Sequence, residues 1–315
     1  MKFCKIKVSS PFFLAPMAAI TNLPFRILCK KYGSGLGFTE MVNSTHISRK
    51  PEIIETLREL RTCKEEKPIC LQLVGNDAKE FAAATRLLEK KFEMININAG
   101  CPATNETKLG SGAALLRKPE KIVEIVHAVK ESTKKPVSVK IRLGWQKNNS
   151  PEICKLIEKA GADAIIVHAR LAGQGYSGKA DWSALAFLVK NSGIPIVVNG
   201  DIVDAKSAID CLEKTRAEFA MIGRGAMQNP LVFKEISEFQ KGKEWKASPA
   251  ERLAVFEEYF GLCEKFGSAD EANLKIIAMQ FSKGSQGARQ LREKIMKAKT
   301  SGEIRNAINE FGKKE

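Results

Sequence analysis

Met94-Ile95-Asn96-Ile97-Asn98-Ala99-Gly100-Cys101-Pro102 reads as a buried strand that surfaces into a turn. The apolar run supplies the strand, Pro102 fixes φ just beyond it, and Gly100 lets the backbone come close to a ligand. Cys101 is thereby held on a rigid base where the strand ends. A free cysteine in such a place is either a small buried hydrophobe or a reactive thiol, and this stretch alone leaves both readings open.

The same pattern recurs on both sides. Short β-rich apolar runs also begin near Phe12, Leu36, Ile69, Val137, Ala164, Ile194 and Phe219, each ending in polar residues or glycine. Between them lie segments of helical period, such as Asp77 to Lys91 and Pro119 to Ser132. Strands that alternate with helices predict a parallel sheet, and eight such units over about 230 residues predict closure into a (β/α)8 TIM barrel. An open doubly wound sheet is the competing arrangement. It lacks its signature, because no Gly-x-Gly-x-x-Gly follows the first run, which reads Ala15-Pro16-Met17-Ala18-Ala19.

After the eighth unit, Glu238 to Pro249 reads as a polar linker in which Ser248 suits an N-cap and Pro249 the first helical position. The expected fold is therefore α/β, a barrel over residues 1–240, followed by a smaller all-helical domain over residues 246–315. Between Lys283 and Lys299 six basic residues face a single acid, Glu293. On one continuous helix, Leu291, Ile295 and Ala298 share a face, while Arg289, Arg292 and Lys299 form a basic stripe on another. A solvated face accounts for such a stripe as readily as phosphate contacts do.

With 315 residues and 44% hydrophobic content the chain can bury a substantial core. Its formal net charge of +15 favours a polyanionic partner, the plainer reading being a solubility device. The eight cysteines form no Cys-x-x-Cys pair and there are three histidines, so no metal site is expected. Scattered thiols, an N-terminus without an apolar core segment and the lack of any long apolar run predict a cytoplasmic protein that neither enters nor crosses a membrane.

Barrel enzymes draw their sites from the C-terminal ends of the strands. Here those ends supply Pro16 and Met17, Glu40, Gln72, Asn98 and Cys101, Lys140 and Arg142, His168 and Arg170, Asn199 and Asp201, and Gly223 and Arg224. Asn199-Gly200-Asp201 and Gly223-Arg224-Gly225 follow the last two strands, where this fold often binds phosphate. Lys140 shares a face with Ser138 and Arg142 by the two-residue period. A lysine inside a barrel is costly unless it meets an anion or an electron-rich ring, or it serves as a Schiff-base nucleophile. His168 reads as either a structural or a functional histidine.

Taken together, these residues resemble the tRNA-dihydrouridine synthase family of flavoenzymes. The resemblance runs from about Phe13 to Phe233 and rests on ordered motifs. They include Leu14-Ala15-Pro16-Met17-Ala18, Thr39-Glu40-Met41-Val42, Gln72-Leu73, Asn98 with Gly100-Cys101-Pro102, and Gly112-Ala113-Ala114-Leu115-Leu116. Further along come Val139-Lys140-Ile141-Arg142-Leu143-Gly144-Trp145, Val167-His168-Ala169-Arg170, Gln174-Gly175-Tyr176-Ser177-Gly178, Asn199-Gly200-Asp201-Ile202 and Met221-Ile222-Gly223-Arg224-Gly225.

The resemblance implies FMN as cofactor, NADPH as reductant and 5,6-dihydrouridine in tRNA as product. It places Pro16, Met17 and Ala18 along the flavin ring. Gln72, Lys140 and His168 would lie at its polar edge and ribityl chain, and Asn199, Gly200, Asp201, Gly223 and Arg224 at the phosphate. It makes Cys101 the proton donor. Asn98 is expected to hydrogen-bond the uracil edge, Arg142 and Arg170 to grip the nucleotide backbone, and the helical domain to bind tRNA, with the chain acting as a monomer. Ala19 stands where the family commonly has glycine, and Asn96 where it commonly has aspartate. Three other readings compete: a dihydroorotate dehydrogenase-like flavoenzyme acting on a free pyrimidine, a lyase built on Lys140, and a tRNA-binding factor without catalysis.

Overall fold

The computed structural model describes residues 1–312, so the last three residues of the expected helical domain lie outside it. Eight strands form one sheet: β1 (Phe12–Leu14), β2 (Gly37–Asn43), β3 (Ile69–Val74), β4 (Met94–Ala99), β5 (Val137–Arg142), β6 (Ala164–His168), β7 (Ile196–Asn199) and β8 (Phe219–Ile222). All neighbours are parallel, in the order β1-β8-β7-β6-β5-β4-β3-β2. The circle closes where Leu14 donates to the Leu36 carbonyl at 2.9 Å and Gly35 to the Phe12 carbonyl at 2.8 Å. The expected barrel is present, with helices Ala78–Leu88 and Pro119–Ser132 in the predicted segments.

The two-residue period of the strands sorts their side chains into two sets. Ile95 and Ile97, Val137, Val139 and Ile141, and Ile165 and Val167 point outward and pack beneath the helices. Their inward neighbours change character along the barrel axis. At the N-terminal end Phe13, Phe38, Cys70, Met94, Ile166, Val197 and Phe219 fill the interior. A hairpin of Lys2–Phe3 and Ile6–Lys7 closes that end, with the Phe3 ring 5.0 Å from Phe13 and 4.9 Å from Phe219. Toward the C-terminal end the inward positions become Gln72, Asn96, Asn98, Ser138, Lys140, Arg142, His168 and Asn199. Apolar filling at one end and polar filling at the other leave one end of the barrel for chemistry.

Helix α1 (Leu23–Lys31) starts at Asn22, whose side chain accepts from the Phe25 N–H at 3.0 Å. Its Arg26 is fully buried against Glu66 at 2.5 Å and also donates to the carbonyls of Thr21 and Arg61. Arg26→Met leaves the Glu66 carboxylate buried without its partner. Such a loss costs roughly 3–5 kcal/mol, to be read as a lowered denaturation midpoint in urea, and an unchanged midpoint overturns the assignment.

Four described helices follow the barrel: α2 (Pro249–Lys265), α3 (Glu271–Phe281), α4 (Ala288–Lys297) and α5 (Ser301–Gly312). Ser248 caps α2 as its sequence suggests, in a capping box with Glu251. Phe25 of α1, Phe256 and Tyr259 of α2 and Phe281 of α3 pack together, and Tyr259 accepts from Asn22 at 2.9 Å. Two details differ from expectation. Glu238–Gln240, read as linker, form the last turn of the helix Val232–Gln240. The basic stripe is also shorter than one continuous helix allows, because α4 ends at Lys297 and leaves Ala298 and Lys299 outside it. The break follows from the next helix start, where Thr300 accepts from the Glu303 N–H and Glu303 accepts from the Lys299 N–H.

Candidate active site

A cavity of about 440 Å³ opens at the C-terminal ends of the strands. Pro16, Met17 and Ala18 line it from the loop after β1, Gln72 from β3, Asn98 and Cys101 from β4 and its turn, and Lys140 and Arg142 from β5. His168 enters from β6, Asn199, Gly200 and Asp201 from β7 and its turn, and Gly223 and Arg224 from beyond β8. Residues far apart in sequence thus converge because each sits where its own strand stops.

A chain of buried side-chain amides runs beneath the cavity. Asn96 donates to the Ser138 hydroxyl at 2.8 Å and accepts from Gln72 at 2.7 Å. Gln72 in turn accepts from Asn98 at 2.9 Å. The Asn98 carbonyl oxygen then takes the N–H groups of Gly100 at 3.0 Å and Cys101 at 2.9 Å. Each amide has its orientation fixed by the next, and the chain ends on the turn that carries the thiol. Asn98 therefore lines the cavity but spends its oxygen on that turn. Its remaining Nδ2 proton faces only the Met41 sulfur at 3.7 Å. Asn96 uses both ends of its amide, donor and acceptor, which an aspartate at this position could not do. Asn96→Leu strands the Gln72 and Ser138 groups and is expected to lower stability by roughly 2–4 kcal/mol, measured by chemical denaturation. A loss within experimental error would remove the relay from the account.

The Cys101 turn is also clamped from the other side. Ala113 donates to the Cys101 carbonyl at 2.8 Å. Gly112 there adopts φ +59, and a Cβ on it would stand 2.7 Å from that same carbonyl, so only glycine fits. Burial pushes the Cys101 thiol above its ordinary range, with Glu106 adding to the effect and the Ala103 N–H, Lys140 and Arg142 opposing it. The thiol consequently stays protonated at neutral pH.

Positive charge dominates the rest of the cavity. The Lys140 amine has Asn199 as its hydrogen-bond partner at 3.2 Å. Burial, and then the charge of Arg142, pull its pKa down to about 7. His168 is driven to about 2 by burial and by Lys140, Arg142, Arg170 and Arg224, so its ring is neutral at any working pH. Cations crowded until two of them surrender protons form a site suited to an anion.

The arginines divide their work differently from the expectation. Arg170, expected to grip the nucleotide backbone, does not line the cavity and is 2% exposed. It donates to the carbonyls of Ser177 and Gly178 and to both oxygens of Asp201 at 2.8 Å. Its donors are used inside the protein because a buried guanidinium needs partners for its N–H groups. Arg142 does reach the cavity, yet it also ties three loops by donating to the carbonyls of Gly100, Leu171 and Gly175. Asp201 faces Arg170 and Arg224 and so acts on an anion only by holding Arg224, at 2.9 Å. Burial raises the Asp201 pKa, but Arg170, the Ala180 N–H and Arg224 outweigh it and keep the carboxylate ionised.

Two features were not singled out from sequence. Tyr176 is 61% exposed at the cavity mouth, its ring 5.6 Å from the Arg142 guanidinium and 5.0 Å from that of Arg224. Only its place in Gln174-Gly175-Tyr176-Ser177-Gly178 hinted at it. The Asn96–Ser138 link was detectable in the strand period, since Asn96 and Asn98 alternate with apolar residues. Ala19 adopts φ +60, a region that favours glycine, and donates to Glu40 at 2.5 Å.

Among the described residues no helix is long and apolar enough to cross a membrane, and no group of three His, Cys, Asp or Glu side chains is placed to hold a metal. A family model described as dihydrouridine synthase matches residues 13–314. A probable tRNA-dihydrouridine synthase of Rickettsia bellii is 32% identical over 98% of this chain and 93% of that protein. One from Rhodobacter capsulatus is 38% identical over 76% of this chain and 74% of that protein. Among solved structures, histamine dehydrogenase from Rhizobium sp. 4-9 superposes with a TM-score of 0.59 at 13% identity, covering 83% of this chain and 50% of that one, which shows a shared barrel fold.

Proposed function

The chain belongs to the dihydrouridine synthase family, and from that premise we propose that it reduces a specific uridine in tRNA to 5,6-dihydrouridine, with FMN as resident cofactor and NADPH as reductant. One observation carries the reading: a protonated thiol stands at the mouth of a cationic cavity, on a turn that the Asn98 amide holds by two backbone N–H groups.

The cavity's donor set suits flavin mononucleotide. Pro16, Met17 and Ala18 supply an apolar wall for a ring, and Gln72, Lys140 and His168 supply polar groups for its edge. Arg224, with Gly200, Gly223 and Asn199 near it, suits a phosphate, and Asp201 keeps the guanidinium aimed. When bound and reduced, the flavin supplies a hydride for C6 of the uracil. Cys101 gives its proton to C5 as general acid, which its raised pKa permits at neutral pH. Lys140 places positive charge where the ring gains electrons, most fully below about pH 7. Asn98 keeps the thiol turn in place and offers its second Nδ2 proton to the base.

Residues 1–240 then form the catalytic barrel and residues 246–315 the tRNA-binding part, in a metal-free cytoplasmic protein working as a monomer. The net charge of +15 supports a nucleic-acid substrate. A uridine must leave its stack to reach a cavity at the end of the barrel, so a locally flexible loop of a folded RNA is the target. Purified protein should show a flavin spectrum, release FMN on denaturation, and form dihydrouridine in unmodified tRNA with NADPH. Turnover of free uracil or orotate without RNA would replace this reading with a free-pyrimidine reductase, and borohydride trapping on Lys140 in a colourless protein would replace it with a lyase.

A further inference from the structure

Strand β2 carries one residue more than its pairing with β3 needs. Phe38 stands opposite Cys70 and Met41 opposite Gln72, so Thr39 and Glu40 together span the place of the single Leu71, a β-bulge at the rim of the site. Phe38 and Cys70 belong to the apolar filling of the barrel, while Met41 and Gln72 line the cavity. Without the extra residue, the two-residue alternation would turn Glu40 inward and Met41 away. The bulge therefore keeps a carboxylate out of the cavity. Thr39 repairs the ladder by accepting the Gln72 N–H on its hydroxyl at 3.0 Å.

Released from the inward row, Glu40 takes the Ala19 N–H at 2.5 Å. That N–H belongs to the central peptide of the turn from Met17 to Ile20, which the Ile20 N–H closes on the Met17 carbonyl at 3.1 Å. The same turn carries Met17 and Ala18, which with Pro16 form the apolar wall of the cavity. A turn of this kind has two forms related by a flip of its central peptide, and only one of them gives the third residue a positive φ. Ala19 has φ +60, a conformation that its Cβ disfavours. A flip to the form that suits alanine would forfeit the bond to Glu40. Charge-assisted hydrogen bonds are roughly twice as strong as neutral ones, enough to hold the less favoured form.

We infer that Glu40 is a positioning residue for the flavin: its carboxylate locks the Ala18–Ala19 peptide in the orientation that presents Pro16, Met17 and Ala18 to the cavity. The inference rests on the cofactor reading proposed above. Loss of the carboxylate lets the turn flip, and FMN affinity falls in proportion to the fraction of molecules that keep the binding form. The same group brings a pH dependence. Burial raises the Glu40 pKa, the Ala19 N–H draws it back, Glu59 raises it and Arg26 of α1 lowers it, and the balance lies above the ordinary carboxylate range. Tyr259 of α2 also faces Glu40 and is kept uncharged by burial.

The test titrates FMN into flavin-free protein at neutral pH. Glu40→Ala should weaken binding about thirtyfold, and Glu40→Gln, which keeps a neutral acceptor, about threefold. Glu59→Gln removes a neighbouring charge that does not touch the turn, and should stay within about twofold of wild type. Ala19→Gly added to Glu40→Ala should restore most of the lost affinity, because glycine holds φ +60 without help. A defect of packing alone would not respond to that second change. As pH falls through the raised Glu40 value, wild type should converge on Glu40→Gln, since the FMN phosphate and Lys140 titrate alike in both. This pH comparison decides the matter should Glu40→Ala fail to fold. Wild-type affinity in Glu40→Ala, a Glu40→Ala defect that Ala19→Gly leaves untouched, or a Glu40→Gln profile that matches wild type at every pH overturns the positioning role, and FMN binding by the wild-type protein leaves the function standing. A wild-type protein that binds no FMN overturns both.

Discussion

Dihydrouridine formation falls by about 10²–10⁴-fold in Cys101→Ala, the range expected when a positioned general acid is removed. The variant should keep its flavin spectrum, since the cavity wall and phosphate end are untouched. Cys101→Ser should not restore the rate, because a hydroxyl at the same place is a far weaker acid. The pH profile offers a second readout. Burial holds the thiol above its ordinary range, so the protonated, active form persists at neutral pH and is lost as pH climbs past the raised value. The wild-type rate should therefore decline on the alkaline side, and that decline should disappear from the residual activity of Cys101→Ala. Wild-type turnover by Cys101→Ala, measured on unmodified tRNA, would end the proton-donor role.

Lys140→Met should remove one contribution that raises the ligand-free protein's stability between about pH 7 and pH 10, read as the difference between wild type and variant because the buried thiols titrate equally in both. The folded amine titrates near 7, below the ordinary lysine value of about 10.4, so the fold favours its uncharged form. Stability should then rise as pH increases through that window, by at most roughly 4 kcal/mol, and change little from this group on either side. Met removes the titrating amine while keeping the length of the side chain. An anionic ring edge bound beside Nζ reverses the balance by favouring the ammonium form. Binding of reduced FMN, whose ring is anionic at about pH 8, should thus be accompanied by proton uptake of up to about one per site, lost in Lys140→Met and measurable by anaerobic calorimetry in two buffers of different ionisation enthalpy. Equal proton uptake by wild type and Lys140→Met would show that the amine does not face the anion.

The eight strand starts were legible because strand character is local: apolar β-rich runs bounded by glycine and polar residues were found within two residues of their true beginnings. So were the residues at the strand ends, since a two-residue period and the barrel's construction oblige them to converge. The helical break at Ala298 was less legible. Its cause, the capping of the next helix by Thr300 and Glu303, competes with an amphipathic period that continues past it.

Sequence alone determined that a thiol, an amide, a lysine and several arginines would gather at one end of a barrel, because backbone geometry fixes which face each side chain takes. Only the tertiary structure decided how they share their hydrogen bonds. Arg142 ends β5 and Arg170 lies two residues beyond the end of β6; the first reaches the cavity and the second is consumed by Asp201 and two carbonyls. Asn96 reaches Ser138 across 42 residues of chain. Partner choice depends on distances between elements that are remote in sequence, and no local pattern encodes those distances.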